Sequence, residues 1–489
     1  MDRIWVAQMA GTRSIYLIPF SANPAVPMID DREKKLILLV ASLSSFLVPY
    51  TGSSITVALP AMAAQFQADA VTLGWITSAY IISAAIFIVP FGRCADIIGR
   101  KRIFSGGLIV FTAASLFCAA APDATTLIIA RFLQGIGGAM LFSTSVAMVT
   151  QVYGPGERGA ALGITIATVY AGLSIGPFLG GLLTDGFGWP AIFLINVPIG
   201  LATLAITTRG IRHEWADAAG EPFDLIGAVV YGIILFCFIF GMLMLPDIMG
   251  LAWIAFALLV APAFLWWERR SKSPLIDFSV FSHNRTFVFS NIAAMINYGA
   301  TFGVGVLLSL YLQYIQGFSA ASAGLILVAQ PLVQTVFSPI AGRLSDKTEP
   351  RVVATIGMAI TALGLFIFIF LTPQTPLILI VLSLMILGLG YGTFSPPNTN
   401  AIMSSVSKKH LGIASGMNAT MRSFGQLLSM AIAMTCFAVF IGPAGITPAI
   451  YPALMTSVTV AFVVFSLLCI AGVGASWVRG TIHGGNIKG

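Results

Sequence analysis

Two arginines, Arg131 and Arg422, lie inside long apolar stretches of this 489-residue chain. An ionisable side chain at that depth in a bilayer costs a few kcal/mol on insertion scales and marks a functional site by default. With no acid inside the same stretches, the two cations predict an electropositive substrate path that accepts anionic or neutral amphiphiles. The structural alternative is that each guanidinium donates to backbone carbonyls and to amide side chains, and so holds helices together. The nearby amides are Gln134, Asn418 and Gln426.

Carboxylates that could couple transport to protons are scarce. Proton coupling normally uses a buried carboxylate whose protonation changes as access alternates between the two sides of a membrane. No Asp or Glu lies in the interior of the apolar stretches. Asp123 stands just before the stretch that holds Arg131, and it is the leading candidate for a coupling acid. Asp96 and Asp224, at the other ends of such stretches, are weaker candidates.

Further polar side chains inside the apolar stretches, or near the end of one, are candidates to line the same path. They are Asn297, Tyr298, Gln330, Gln334, Asn398 and Asn400. Prolines in the same stretches are expected to kink or end the helices there. The direction in which each polar side chain faces does not follow from the sequence.

Cysteine and histidine patterns exclude several kinds of site. The five cysteines are scattered singly, without metal-ligand spacing or a disulfide framework. The four histidines all fall in polar connections or in the C-terminal tail. No Ser/His/Asp set can be argued from them, and no phosphate-binding GxxxxGK[ST] motif occurs. Neither a metal, a cofactor nor an enzymatic activity is therefore expected.

The elements that must position these residues are membrane-spanning helices. Hydrophobic residues make up 57% of the chain and charged residues 9%, against about 25% charged in soluble proteins. A spanning helix needs about 20 apolar residues, and backbone polar groups in lipid must be satisfied within the segment. About fourteen stretches meet this length, which predicts an all-α integral membrane protein. They are residues 36–59, 73–92, 104–121, 125–149, 158–183, 189–208, 223–245, 250–267, 286–312, 321–341, 352–372, 376–398, 411–441 and 452–477.

The positions of lysine and arginine predict the orientation. Of the 25 basic residues, all except Arg131 and Arg422 fall in the terminal segments or in connections after even-numbered spans. One face is therefore uniformly basic, which places both termini on the cytoplasmic side of a cell membrane. The net charge of +7 reflects this topology, and no nucleic-acid partner is expected.

A basic loop with one acid follows span 2. It reads Gly92-Arg93-Cys94-Ala95-Asp96-Ile97-Ile98-Gly99-Arg100-Lys101-Arg102. The glycines permit a tight turn, and Asp96 among four cations is expected to pair with them or to cap a helix. A degenerate copy after span 10 contains Gly342-Arg343 and Asp346. A cytoplasmic element that recurs in the two halves is typical of the internal repeats of secondary transporters.

These motifs resemble those of the major facilitator superfamily, whose signature loop is GxLxDxxGR[RK]. Span 4 resembles the family's RxxQGxG element through Arg131, Gln134, Gly135, Gly137 and Gly138. Span 5 resembles the GxxxGPxxGG element associated with antiporters through Gly172, Gly176, Pro177, Gly180 and Gly181. The chain also resembles the fourteen-helix drug:proton antiporter branch. The resemblance lies in Trp189 with residues 195–200, and in Gly416, Asn418, Arg422 and Gly425 of span 13. The resemblance covers roughly residues 30–477.

The resemblance implies two six-helix bundles, at residues 36–208 and 286–477, joined by a linker at 209–285 that holds two extra central helices. Residues 1–35 are expected to be a disordered cytoplasmic segment, and 478–489 a cytoplasmic tail. Substrate would bind between the bundles near the bilayer midplane, and rocking of the bundles would alternate access. A conformational switch is implied for Gly92, Asp96, Gly99, Arg100 and Lys101, with Asp346 in the second copy. Candidate partners for Asp96 are Lys408 and Lys409, at the start of span 13.

One position departs from that branch. Its members carry an acid in span 1, in a pattern similar to LDTTIVNVALP, and Thr51 stands at that position here. Proton coupling therefore lacks its usual residue, although the family counterpart of Arg131 is associated with proton movement. The glycines of span 5 also have an alternative role, since small residues at helical spacing allow close packing alone.

The combined prediction is a secondary active exporter of small amphiphilic compounds, similar to multidrug-efflux carriers, driven by proton antiport and alternating access. Its expected partners are a small-molecule substrate, protons and the lipid bilayer, with the chain acting as a monomer. A facilitator or an anion exchanger without proton coupling is the first alternative. A membrane receptor or a lipid-modifying enzyme is the second, and the sequence lacks the clustered histidines or carboxylates that a lipid enzyme needs.

Overall fold

The computed structural model describes residues 30–153, 157–271, 275, 284–406, 411–442 and 445–480, without the side chains of residues 158–160, 346, 411–413 and 415. In this part of the chain the regular structure is helical, with no strand. Fourteen of its helical segments are long and apolar enough to span a membrane. The predicted all-α architecture and the predicted number of spans are therefore confirmed.

The helices follow the predicted order. Seven precede the linker: α1 (Asp31–Phe66), α2 (Ala70–Ile98), α3 (Arg100–Ala119), α4 (Ala124–Val152), α5 (Arg158–Phe187), α6 (Ala191–Leu194) and α7 (Asn196–Gly210). The extra pair is α8 (Leu225–Leu243) and α9 (Ile248–Glu268). Seven follow: α10 (Arg285–Leu310), α11 (Ala320–Leu327), α12 (Ala329–Lys347), α13 (Pro350–Phe368), α14 (Leu377–Ser404), α15 (Leu411–Phe440) and α16 (Tyr451–Val478). Together α6 and α7 form one span, as do α11 and α12.

Several helices extend beyond the apolar stretches that predicted them. For example, α1 begins at Asp31, five residues before the predicted start, because the Asp30 carboxylate caps it by accepting from the Arg32 N–H. Because they are longer, these helices include a few carboxylates, and each of these lies in a terminal turn, as Asp96 does in α2 and Glu268 in α9. In the described helices no carboxylate therefore lies near the middle of a span.

The two halves repeat one packing pattern. In the N bundle, formed by α1–α7, α1 packs on α5, α2 on α4, and α3 on α4 and α7. In the C bundle, formed by α10–α16, α10 packs on α15, α12 on α14, and α13 on α14 and α16. Glycine permits the closest approaches: a methyl group at Gly137 would lie 2.8 Å from the Cα of Phe111, and one at Gly357 would lie 2.5 Å from the Phe394 nitrogen.

A buried arginine closes the C bundle directly after α16. Arg479 is 1% exposed, and its Nη1 donates to Asn398 Oδ1 on α14 at 2.6 Å. Its Nη2 donates to the carbonyl of Pro350, at the start of α13, at 3.1 Å. One guanidinium thus joins the ends of three helices.

Of the extra pair, α8 lies against both bundles and α9 packs on α8. The Phe240 ring of α8 packs on Trp75 of α2, with ring centres 5.3 Å apart. The Phe238 ring packs on Phe424 of α15, with ring centres 5.9 Å apart. The pair therefore covers one side of the junction between the bundles.

Direct hydrogen bonds join the bundles at one end of the molecule. We call the end that carries Asp30 and Gly480 the basic end, since the lysine- and arginine-rich loops lie there. At the opposite end, Ser309 Oγ of α10 donates to the carbonyl of Thr56 in α1 at 2.7 Å. The Ala321 N–H, in the first turn of α11, donates to Asp185 Oδ2 of α5 at 2.9 Å. The structure is therefore closed at the end opposite the basic end.

Candidate substrate cavity and conformational loop

Arg131 is enclosed within the N bundle. Its side chain is 1% exposed, its Nη1 donates to Gln134 Oε1 at 2.5 Å, and its Nε donates to the carbonyl of Ile76 at 3.3 Å. The guanidinium carbon lies 4.5 Å from the centre of the Tyr80 ring, an arrangement in which the ring quadrupole stabilises the cation. These contacts join α4 to α2, and they are the ones that the structural alternative for this arginine requires.

Gln134 extends the same network to α3. Its Nε2 donates to Ser115 Oγ at 2.8 Å, so the amide uses both of its ends. The Tyr80 hydroxyl, by contrast, has no hydrogen-bond partner among the described residues. That hydroxyl is buried beside Gly138 of α4.

Arg422, on α15, lies in a different environment. Its guanidinium carbon is 4.6 Å from the centre of the Phe142 ring on α4, so this side chain reaches from the C bundle to the N bundle. It is partly exposed, and no described residue forms a hydrogen bond or an ion pair with it, including the predicted partners Asn418 and Gln426. A guanidinium has five N–H donors. Arg422 can therefore bind an anion or a carbonyl oxygen from a ligand.

Four tyrosines, two from each bundle, lie around this cation near the middle of their helices. Tyr80 of α2, Tyr170 of α5 and Tyr391 of α14 each lie within electrostatic range of the Arg422 guanidinium. Tyr298 of α10 meets Tyr391 edge to face, with ring centres 5.5 Å apart. The cluster offers aromatic faces and hydroxyl groups beside one positive charge. An amphiphile with a flat ring and a polar or anionic group matches this surface.

Two predicted path residues of the C bundle are placed differently. Gln334 of α12 interacts with Tyr170 of α5, so it lies where the two bundles meet. Asn297 is fully buried inside the C bundle, and its Nδ2 lies 3.2 Å from the sulfur of Met358 on α13. Gln334 therefore belongs with the tyrosine cluster, whereas Asn297 packs within its own bundle.

Thr51, at the position where the branch carries an acid, is buried and bonded within the N bundle. Its hydroxyl donates to the Leu47 carbonyl at 2.8 Å and accepts from Asn196 Nδ2 at 3.1 Å. Both side chains are at most 1% exposed. The pair ties α1 to α7, and Asn196 Oδ1 has no hydrogen-bond partner among the described residues.

Asp123, the predicted coupling acid, is an exposed helix cap. Its carboxylate accepts the Thr126 N–H at 2.8 Å and the Thr126 hydroxyl at 2.9 Å. These bonds to Thr126 hold the pKa of Asp123 below its ordinary value. Arg131 follows eight residues later, about 12 Å along the helix at 1.5 Å per residue. The geometry gives Asp123 a capping role and does not bring it to Arg131.

The basic loop after α2 is occupied by the linker segment that follows α7. Arg100 Nη2 pairs with Asp96 Oδ1 at 2.8 Å and with Asp217 Oδ2 of the linker at 2.9 Å. Backbone bonds reinforce the contact, since the Arg100 N–H donates to Trp215 O and the Ala218 N–H donates to Asp96 O, both at 2.9 Å. Asp96 thus pairs with a loop cation, as predicted, and also holds the linker.

Two further linker acids bind the same loop. Glu214 Oε1 accepts the Lys101 N–H at 2.8 Å, and a side chain at Gly99, whose φ is +127°, would collide with that carboxylate. Glu221 pairs with Arg93. The predicted partners Lys408 and Lys409, and the side chain of Asp346 in the second copy of the motif, lie outside the described residues. In the described part of the chain, the linker contacts this loop, as does Gln151 of α4, whose Oε1 accepts from Arg100 Nη1 at 3.1 Å.

The start of the linker is also tied to α1. Glu33, 6% exposed, accepts the backbone N–H groups of Arg212 and His213 at 2.8 and 3.0 Å. The segment 211–224 therefore contacts α1 at one end and the loop after α2 along its length.

The glycines of α5 permit close approaches to two different parts of the molecule. Methyl groups at Gly172 and Gly180 would press on the backbone and side chains of α1, and Gly176 faces α1 in the same way. Gly181 instead faces the backbone of Ala320 and Ala321, and Pro177 lies against Gly324. One part of the motif packs within the N bundle, and the other joins the bundles at the end opposite the basic end.

Several members of the site carried no signal in the sequence. Tyr80, Phe142, Tyr170 and Tyr391 stand among many aromatic residues, and no periodic pattern separates those that face the cavity from those that face lipid. The described residues contain no group of three or more His, Cys, Asp or Glu side chains placed to hold a metal ion.

The sequence matches the family model described as Major Facilitator Superfamily over residues 41–430 and 290–483. The chain belongs to this superfamily. It is therefore a multi-pass membrane transporter, and the predicted family is confirmed. Structures in the same superfold support the architecture: a bacterial homolog of the human lysosomal transporter Spinster, in an inward-facing and unoccupied conformation, superposes with a TM-score of 0.68. It is 16% identical, over 92% of this chain and 98% of that one.

Curated relatives have more specific names. The riboflavin transporter RibZ of Clostridioides difficile is 29% identical over 413 residues, covering 83% of this superfamily member and 89% of RibZ. Multidrug resistance protein Stp of Mycobacterium tuberculosis is 28% identical, over 82% of this chain and 75% of that protein. Multidrug resistance protein 3 of Bacillus subtilis is 31% identical, over 73% of this chain and 71% of that protein.

Proposed function

We propose that this transporter exports small amphiphilic compounds, anionic or neutral, from the cytoplasm by alternating access. The observation that carries the proposal is Arg422, a cation without a described hydrogen-bond or ion-pair partner that reaches from one bundle to the other. The tyrosines beside it supply aromatic surface for the apolar part of a substrate. The cation would attract the polar part and repel multiply charged cations.

The names of the relatives support this class of substrate. Two of the three described above are multidrug resistance proteins, and the third transports riboflavin. Transporters of drugs or of a vitamin handle small organic molecules. We propose the same broad class of substrate for this transporter. The proposed transporting unit is a monomer, because both bundles that form the site belong to one chain.

The proposed orientation places the basic end in the cytoplasm, following the distribution of lysine and arginine. The bonds between Ser309 and Thr56 and between Ala321 and Asp185 then close the outer end. The structure would represent an inward-facing state, and export would require these bonds to break. The linker segment 211–224 would lie on the cytoplasmic surface.

Proton antiport is the proposed driving process, with one specific observation favouring an alternative. No carboxylate lies near the middle of a span in the described helices, and Asp123 caps α4. A carrier without a titrating acid in its path suits exchange of one anion for another. Anion exchange or facilitated diffusion is therefore the second candidate function.

Transport by the purified protein in liposomes tests both proposals. Three fluorescent amphiphiles of equal size, one anionic, one neutral and one cationic, would be offered across an imposed pH gradient. We expect Arg422→Gln to slow transport of the anionic probe about 10- to 100-fold, because a hydrogen bond to a charged group contributes about 1.5–3 kcal/mol. Arg285→Gln is the matched control, since Arg285 is an exposed arginine at the basic end.

Equal transport of the anionic probe by Arg422→Gln and the unchanged protein would refute the role of Arg422. A pH change that depends on the substrate would establish antiport. Movement of substrate without proton flux, unaffected when the gradient is dissipated, would establish the facilitator or exchanger instead.

A further inference from the structure

A groove lies at the basic end of α9, away from the cavity between the bundles. It has a volume of about 370 Å³ and is lined by Pro262, Leu265, Trp266, Arg269 and Arg270. Trp266 is 54% exposed, so the indole forms an open wall of the groove. The groove combines an apolar floor with two cations at one end.

The neighbouring residues turn away from this groove. Trp267 Nε1 donates to Asp224 Oδ2 at 2.9 Å, which fixes the end of α9 against the start of α8. Glu268 is 3% exposed and approaches Gly227 of α8. The acids of this region thus face the partner helix, and the surface that faces outward carries the arginines.

The Arg270 side chain is held against Trp266, and neither arginine pairs with an acid of the described residues. The Arg270 guanidinium carbon lies 4.2 Å from the centre of the Trp266 ring. Among the described residues, no carboxylate lies within ion-pair distance of Arg269 or Arg270, in contrast with Arg100, which pairs with the linker. Two neighbouring guanidinium groups present a fork of donors that suits a phosphate group.

An apolar ridge continues from the groove toward the middle of the membrane. Leu258 and Leu259 on α9 are 61% and 76% exposed. From Arg269 to Leu259 the helix rises about 15 Å, which is half of the roughly 30 Å hydrocarbon thickness of a bilayer. A ligand with a phosphate at the arginines and apolar chains of this length corresponds to one phospholipid of one leaflet.

We propose that this groove is a binding site for an anionic phospholipid, with the phosphate on Arg269 and Arg270 and the acyl chains along Leu265 and Leu259. The site selects an anionic lipid over a zwitterionic one because no acid among the described residues balances its two cations. On the orientation given above, the lipid comes from the cytoplasmic leaflet. Its occupancy stabilises the folded chain, as any ligand specific to the native state does.

The test is a lipid titration of the purified, delipidated full-length protein in detergent. The thermal unfolding midpoint is followed against dioleoyl phosphatidylglycerol, against dioleoyl phosphatidylcholine and against inorganic phosphate. We expect phosphatidylglycerol to raise the midpoint and the other two probes to leave it unchanged. The double variant Arg269→Gln/Arg270→Gln should bind phosphatidylglycerol about 30-fold more weakly, which corresponds to about 1 kcal/mol for each lost arginine.

The matched control is Arg285→Gln/Arg351→Gln, which removes two arginines from the same end of the molecule outside the groove. This control should bind phosphatidylglycerol as the unchanged protein does. Trp266→Leu, which keeps an apolar wall and removes the ring under Arg270, should weaken binding by a smaller factor. Equal binding by the arginine double variant and the unchanged protein would overturn the proposal. So would equal protection by phosphatidylcholine or by inorganic phosphate, which would assign the effect to acyl chains alone or to a soluble phosphate.

Discussion

Neutralising the acids of the linker should release it from the basic loop after α2. The triple variant is Glu214→Gln, Asp217→Asn and Glu221→Gln, and the cations that these acids contact are Arg102, Arg100 and Arg93 respectively. The substitutions keep the shape of each side chain and remove its charge. The backbone bonds between Arg100 and Trp215 and between Ala218 and Asp96 remain possible, so the experiment isolates the electrostatic contribution.

The expected loss is about 2 kcal/mol. Each of the three ion pairs has at least one partner that is more than half exposed, so each contributes at most about 1 kcal/mol and more commonly about half of that. The hydrogen bond from the Lys101 N–H to Glu214 loses its charge assistance, although the amide oxygen of the variant still accepts it, and this adds about another 0.5 kcal/mol. A change of about 2 kcal/mol shifts the equilibrium between docked and released linker about 30-fold.

Hydrogen exchange measured by mass spectrometry reports this equilibrium directly. The amides of Arg100 and Ala218 are bonded between loop and linker, so they exchange when the linker leaves. Exchange in peptides covering residues 94–104 and 211–224 should accelerate about 30-fold in the triple variant. In the unchanged protein it should accelerate with added salt, because salt screens exposed charges, and in the variant it should not.

Asp31→Asn is the control, since it removes an exposed carboxylate at the same end without a contact to the linker. A charge swap, Arg93→Glu with Glu221→Arg, should keep the pair and preserve slow exchange. Exchange in the triple variant that matches the unchanged protein would show that the backbone bonds alone hold the linker, and the electrostatic reasoning would be refuted.

Three further predictions concern single positions. Arg479→Ala should lower the free energy of unfolding by about 2–5 kcal/mol, because it leaves Asn398 and the Pro350 carbonyl buried without their donor, and thermal unfolding beside Arg285→Ala would measure the difference. Gly137→Ala should lower the free energy of unfolding by about 1–3 kcal/mol, because the added methyl group clashes with Phe111. The control is Gly186→Ala, where nothing lies within 4 Å of the added methyl group, and it should be neutral or slightly stabilising; equal unfolding midpoints would contradict this. Asp123→Asn should leave substrate-dependent proton flux unchanged at pH 7. In the unchanged protein the Asp123 carboxylate caps α4 at this pH, and the cap is lost only as the pH falls through the lowered pKa of Asp123. Abolished flux in the variant would restore Asp123 as the coupling acid.

The number of spans could be predicted from the sequence because lipid imposes a simple requirement. Each span needs a long apolar stretch, and the basic residues alternate with span parity, so a miscounted span would have disrupted the charge pattern. The contact between Asp96 and Arg100 also followed from local spacing, since residues four apart lie on one helix face.

The contacts of the linker and of Arg479 could not be predicted, because they join residues far apart in the chain. The distribution of charge assigned Glu214, Asp217 and Glu221 to the same membrane face as the basic loop, but charge alone does not select partners. Arg479 follows the last apolar stretch and belonged to the predicted tail. Its burial depends on Asn398, 81 residues earlier, and no periodic pattern reports that contact.

The two intramembrane arginines illustrate why residue type alone did not distinguish structure from function. Both are cations in apolar helices, yet Arg131 donates to Gln134 and to the Ile76 carbonyl, and Arg422 has no described hydrogen-bond partner. If Arg422 binds an anionic substrate, the loaded cavity is neutral and the empty cavity carries one positive charge. Moving one charge across the membrane costs about 2.3 kcal/mol per 100 mV. Exchange of one anion for another should then be insensitive to an imposed membrane potential, whereas net export, which returns the empty cavity, should depend on it. A net transport rate that does not change with potential would show that Arg422 does not balance the charge of the substrate.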